Sequence, residues 1–133
     1  MDAAISHVVR QCSRASDENS ESFPVIIRTL TEAGIERYHA DLVRSEKTFY
    51  LPDGQSEIVQ NRAIAGVSAQ DFSTGDVRAA IRAVQSGSIS YNTFCERVVA
   101  AGCVGYHVSI AGQRVIYYGR SGESYVEPFP TKP

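Results

Sequence analysis

The chain has 133 residues, 43% apolar and 21% charged, with a formal net charge of −2. That size and balance suit one globular domain, while the charge argues against a strong hold on nucleic acid, which needs a basic face. No apolar run approaches the roughly 18 residues of a membrane span, and three cysteines without close spacing suit a reducing cytoplasm better than a disulfide framework.

Met1-Asp2-Ala3-Ala4 has no basic stretch leading into an apolar one, so no secretory signal is expected. Ile5, Val8, Val9 and Cys12 fall at i, i+3, i+4 and i+7, the stripe of a helix facing a core. It should start near Asp2 and fade in the polar run Ser16–Ser20. A second helix should begin near Ser22, with Pro24 tolerated in its first turn. Ile26, Ile27, Leu30 and Ala33 form its stripe, and Gly34 suits a left-handed end.

Two strands follow. In 36–42, Tyr38, Ala40 and Leu42 alternate with Arg37, His39 and Asp41. Thr48–Leu51 is the return strand, stopped by Pro52-Asp53-Gly54. Residues 55–73 read as largely irregular, although Ile58 and Val59 can extend a sheet.

The second half has the same plan. Val77, Ala80, Ile81 and Val84 mark a helix ending at Ser86-Gly87. Ser90 caps the next, with Ile89 and Phe94 placed for a hydrophobic staple. Phe94, Cys95, Val98 and Ala101 face inward, and Gly102 ends the helix. Tyr106, Val108 and Ile110 then alternate with His107, Ser109 and Ala111. Gly112-Gln113 suits a two-residue hairpin turn, with Val115–Tyr118 returning. Residues 126–133 read as a Pro-punctuated tail pinned by Tyr125 and Phe129.

The halves also match residue by residue. Ala33, Gly34, Tyr38, His39, Tyr50, Gly54 and Ser56 recur 68 positions later as Ala101, Gly102, Tyr106, His107, Tyr118, Gly122 and Ser124. The expected fold is therefore α+β: an antiparallel sheet of four or more strands, with about four helices packed on one face. It is built as a tandem helix–helix–hairpin repeat with halves at about 1–60 and 70–126, in a single domain over 1–133.

A Gly112-Gln113 turn pairs His107 with Tyr118 across the hairpin, and the repeat pairs His39 with Tyr50. His39, Tyr50, His107 and Tyr118 are thus the candidate binding residues, on the sheet face away from the helices. They offer a shallow surface for a partner or a small polar ligand; equally, such pairs serve as ordinary cross-strand packing. No residue is assigned a catalytic role, because there is no nucleophile elbow, phosphate loop, dinucleotide fingerprint or paired carboxylates. No metal or cofactor is expected: His7, His39 and His107 are scattered and Cys12, Cys95 and Cys103 form no C-x-x-C. Cys95 and Cys103 match Ile27 and Ile35 of the first half and read as core residues.

The run Ala33–Leu42, then Glu46–Tyr50, resembles the YdfO/YbcV-like family of small bacterial and prophage-borne proteins. So do Ile89-Ser90-Tyr91 with Phe94, Ala101-Gly102 with Tyr106, and the ending Tyr118-Gly119 through Gly122-Glu123 to Glu127–Pro130. The resemblance implies a small α+β domain in a bacterial or phage cytoplasm and supplies no catalytic residue. The expectation is a non-enzymatic accessory protein, monomeric or homodimeric, acting through protein contacts. The alternative is a small-molecule-binding domain or an enzyme using the His39/Tyr50 and His107/Tyr118 face.

Overall fold

A computed structural model describes residues 1–130. The elements run α1 (Ala3–Asp17), α2 (Phe23–Glu32), β1 (Arg37–Asp41), β2 (Glu46–Tyr50) and β3 (Ser56–Gln60). Then come α3 (Thr74–Gln85), α4 (Tyr91–Ala100), β4 (Cys103–Ser109), β5 (Arg114–Gly119) and β6 (Ser124–Pro128). The fold is α+β, with one antiparallel sheet in the order β3-β2-β1-β4-β5-β6.

Helix starts follow local chemistry. The Asp2 carboxylate accepts from the Ile5 N–H, Ser73 from Asp76 and Ser90 from Thr93, each satisfying a first-turn donor that has no partner inside the helix. Ser22 precedes α2 without a side-chain cap, and Pro24 occupies the first turn. Gly34 and Gly102 end α2 and α4 with positive φ. At Gly102 the Asp71 and Phe72 backbone also lies where a Cβ would stand. The segment at 61–73, expected to be irregular, is irregular but anchored there: the Ser73 N–H donates to the Ala101 carbonyl at 2.8 Å and the Ala69 N–H to Val99 at 3.2 Å.

The strands alternate as expected. Tyr38, Ala40, Phe49, Tyr106, Val108, Val115 and Tyr117 are buried in the same core as Val9, Leu30, Val77, Ile81, Phe94 and Val98 of the helices. Each half contributes three strands, not the hairpin expected. Ser56–Gln60, around the Ile58 and Val59 that could extend the sheet, is a full edge strand paired with β2, and Ser124–Pro128 pairs with β5, running into the tail expected from Val126. The last positions of that tail, 131–133, lie outside the described residues.

The hairpin register differs from expectation by two residues, in both halves. Tyr50 opposes Arg37 and His39 opposes Thr48; Tyr118 opposes Gly105 and His107 opposes Ile116. The loops are four residues long, Leu42–Ser45 and Ile110–Gln113, so Ile110 belongs to a turn and not to the core strand. Side chains set this length. Asp41 accepts from the Val43 and Arg44 N–H groups at 3.0 and 2.9 Å, and Ser109 accepts from Gly112 at 2.9 Å. Ser45 and Gln113 then take the left-handed conformation, each near φ +50°. Asx- and Ser-type turns outcompete the glycine-first turn that the sequence suggested.

Candidate functional site

Strands β1 and β4 meet at the centre of the sheet, where His39 lies directly opposite His107. Both side chains are half-buried on the face away from the helices. One row crosses all six strands there: Ile58, Thr48, His39, His107, Ile116, Val126. The imidazole rings stand 6.4 Å apart. Burial lowers the pKa of both, opposed at His39 by the Asp41 charge and reinforced at His107 by Arg37 and His39.

The four residues marked by the sequence all lie on this face, yet they do not form two equivalent pairs. Tyr118 crosses over Gly105 to share a hydrogen bond with His39 Nε2 at 2.5 Å, its direction set by the tautomer. Its ring stacks on the His39 ring at 5.8 Å. Tyr50 has the Arg37 guanidinium over its ring at 3.9 Å. So the structure gathers His39, His107 and Tyr118, and holds Tyr50 under Arg37. His7 is exposed on α1. Among the described residues, no three His, Cys, Asp or Glu side chains gather as metal ligands. Cys12, Cys95 and Cys103 are free and buried; burial pushes the Cys95 thiol up to about 11 and Cys103 up to about 12, which leaves them protonated and inert.

A second concavity lies on the other side of the sheet. A cleft of about 530 Å³ runs between the α1–α2 connection, the start of α2, the ends of α3 and α4 that meet at Gly87–Tyr91, and the sheet. Its lining passes from exposed Glu21, Gly87 and Pro130 to buried Tyr38, Tyr106 and Tyr117. The walls are aromatic. Phe23 packs edge-on against Phe129 at 5.4 Å, and Phe94 edge-on against Tyr117 at 6.2 Å.

Polar groups in the cleft are few. The Tyr91 and Tyr106 hydroxyls share a hydrogen bond at 2.6 Å. Tyr38 and Tyr117 are 4% and 6% exposed, and among the described residues their hydroxyls make no hydrogen bond. Desolvation raises the pKa of all four phenols, so they stand as neutral hydroxyls. Glu127 contributes a carboxylate from β6. It accepts from Arg82 at 2.7 Å and from the Tyr125 hydroxyl at 2.7 Å. Burial works to raise its pKa, but those bonds prevail and lower it, keeping it ionised.

Sequence reasoning placed Tyr38, Tyr106 and Tyr117 on the core face and missed the cleft they floor. The signal was tyrosine, with its polar tip, where phenylalanine suffices for packing. The open helix spacing above them has no sequence signature.

The family described as "Protein of unknown function (DUF1398)" matches residues 14–127 of the chain. No match was found among the curated proteins.

Proposed function

The chain belongs to the DUF1398 family, whose description assigns no activity, and from the geometry we propose that it is a small-molecule-binding protein whose site is the tyrosine-floored cleft. One observation carries this reading: a volume of about 530 Å³, lined mainly by aromatic and aliphatic side chains, with the phenols of Tyr38 and Tyr117, which bond no other described residue, at its base. Binding pockets for drug-sized molecules have this size and this mix of apolar wall and few polar groups. Among the described residues the hydroxyls of Ser16, Ser20 and Ser22 in the cleft have no basic side chain as a hydrogen-bond partner, so the reading is binding without turnover. The site differs from the small-molecule alternative drawn from the sequence, because neither histidine lines it.

Native mass spectrometry of protein purified from its own cells tests the proposal. The expected result is one small molecule carried at up to one per chain. Protein that carries none, and that binds no neutral aromatic dye on titration, overturns it.

A second reading keeps the accessory role in a bacterial or prophage cytoplasm, in line with the resemblance to YdfO/YbcV-like proteins. The observation favouring it is the uncovered row across the sheet, where Ile58 and Val126, 57% and 44% exposed, flank the two histidines. A protein partner laid on that row would lose its hold on a His39→Ala/His107→Ala variant, whose melting temperature stays within a few degrees of the parent. In this reading the two halves are copies of one unit, and the row is the place where they meet.

A further inference from the structure

We infer that the cleft selects an uncharged, ring-bearing molecule that carries an acceptor oxygen, received by the hydroxyls of Tyr38 and Tyr117. This rests on the proposed role of the cleft as a ligand site and adds its chemical selectivity. Three observations combine. First, among the described residues every charged side chain lining the cleft is a carboxylate, Glu21 at the mouth and Glu127 deeper in. An anionic ligand therefore meets like charge from both. Second, Glu127 already has Arg82 and Tyr125 as partners, with the Gln85 amide at 3.5 Å, which leaves it little to offer a cationic ligand. Third, the Tyr38 and Tyr117 hydroxyls lack an acceptor among the described residues although both side chains are more than nine-tenths buried. Neither hydroxyl oxygen is sealed from solvent, so both open onto the cleft, where a carbonyl or ether oxygen takes the place of the water they otherwise meet. Burial keeps these phenols neutral, so they serve as donors. The aromatic walls favour a ring between them, because offset and edge-on contacts add to the burial of apolar area.

The experiment compares three probes of one shape: naphthalene, 2-acetylnaphthalene and 2-naphthoate. The protein contains no tryptophan, so probe fluorescence is read without that overlap. The expected order is 2-acetylnaphthalene first, bound about tenfold more tightly than naphthalene through two hydrogen bonds of ordinary strength, with 2-naphthoate weakest. Tyr38→Phe and Tyr117→Phe each remove about threefold of the ketone's advantage, and together nearly all of it, while naphthalene binding is unchanged. Both substitutions keep the ring, and the single variants suffice if the double one fails to fold. Equal binding of ketone and hydrocarbon, strongest binding of the carboxylate, or an advantage that survives both substitutions overturns the selectivity while leaving the cleft a ligand site. Failure of all three probes to bind overturns the selectivity and the binding role together.

Discussion

Tyr118 places its hydroxyl 2.5 Å from His39 Nε2, reaching from the second half of the chain into the first. It can do so because the residue opposite it is Gly105, which leaves open the space between β5 and β1. The position 68 residues earlier than Gly105 is Arg37, and there the side chain fills the space and stacks on Tyr50. A single difference, glycine against arginine, thus decides which histidine gains a phenol. The face is consequently lopsided: a half-buried His–Tyr contact on one side of the central pair, and a cation over an aromatic ring on the other.

Gly105→Ala should separate packing from hydrogen bonding at this point. An added Cβ would stand 2.5 Å from the Tyr118 hydroxyl oxygen and 2.8 Å from the Ala40 carbonyl oxygen. Tyr118 can swing aside, at the cost of its bond to His39. The Ala40 carbonyl belongs to the central strand and cannot move without disturbing β1. The expected loss is about 1–3 kcal/mol in urea unfolding, against about 0.5–1.5 kcal/mol for Tyr118→Phe, which removes the hydroxyl alone. Removal of the whole ring in Gly105→Ala/Tyr118→Ala should not restore stability, since the carbonyl contact remains. Full restoration would mean that Tyr118 alone requires the glycine.

The two histidines should make stability fall in mild acid. Both have folded pKa values lowered by burial, against about 6.5 for an unfolded chain. Above that value neither state binds the proton. Below it the unfolded chain takes up protons that the native imidazoles resist, so stability declines as pH falls and levels off below the folded values. Glu127 has the depressed carboxylate pattern, and its contribution is lost only as pH drops below about 4.5. Melting temperatures between about pH 7.5 and 5.5 therefore isolate the imidazoles. The decline should flatten in His39→Gln/His107→Gln; an unchanged slope in that variant would assign it to other groups.

Much of this architecture was legible because it depends on local chemistry. Helix stripes such as Val77, Ala80 and Ile81, caps such as Ser90, and the alternation of Tyr106 and Val108 with His107 are each set within a few residues. The hairpin register was not, since it depends on competition between two turn types, and the side chains of Asp41 and Ser109 decide it by binding N–H groups two or three residues ahead. Ile58 and Val59 marked the middle of β3 but not its length, and β6 escaped for a related reason. Ser124–Pro128 carries few strong strand formers and is held by its neighbour β5, so pairing outweighs local preference. The cleft was out of reach altogether, because it is a gap between helices distant in sequence, and only the tyrosines at its floor hint at it.

Lys47 should be more useful to remove than to keep, as far as stability is concerned. It sits on the core face of β2, 3% exposed, with its ammonium 4.5 Å above the Tyr91 ring and, among the described residues, no carboxylate within ion-pair reach. Beside it is a small cavity of about 10 Å³, bordered by Asp17, Asn61 and Cys95, close to the size one water needs. Desolvation lowers the Lys47 pKa, opposed by nearby Cys95, Asp17 and Cys12. Lys47→Met replaces the chain with an apolar one of similar length and should stabilise the protein by about 1–3 kcal/mol near neutral pH. The sign with pH is specific. The lowered folded pKa penalises the native state wherever the unfolded lysine is charged, so the gain should shrink as pH rises toward about 10.5. A destabilised variant would show that the contact with Tyr91 outweighs the desolvation.

Filling the cleft should separate binding from folding. Val84 lies half-buried on α3 and lines the cleft, where a larger side chain projects into open volume without displacing packed neighbours. Val84→Trp should leave the melting temperature within a few degrees of the parent, or raise it, because added apolar area is covered without the strain of overpacking. Binding of a neutral ring probe should fall more than tenfold. Val43→Trp is the matched control, since Val43 is 70% exposed in the β1–β2 loop and takes no part in the cleft. Phe94→Ala is the opposite case: it removes a buried wall residue and should cost about 3–5 kcal/mol. Undiminished probe binding in a well-folded Val84→Trp variant would place the site elsewhere on the molecule, and the row of His39 and His107 would be the next face to probe.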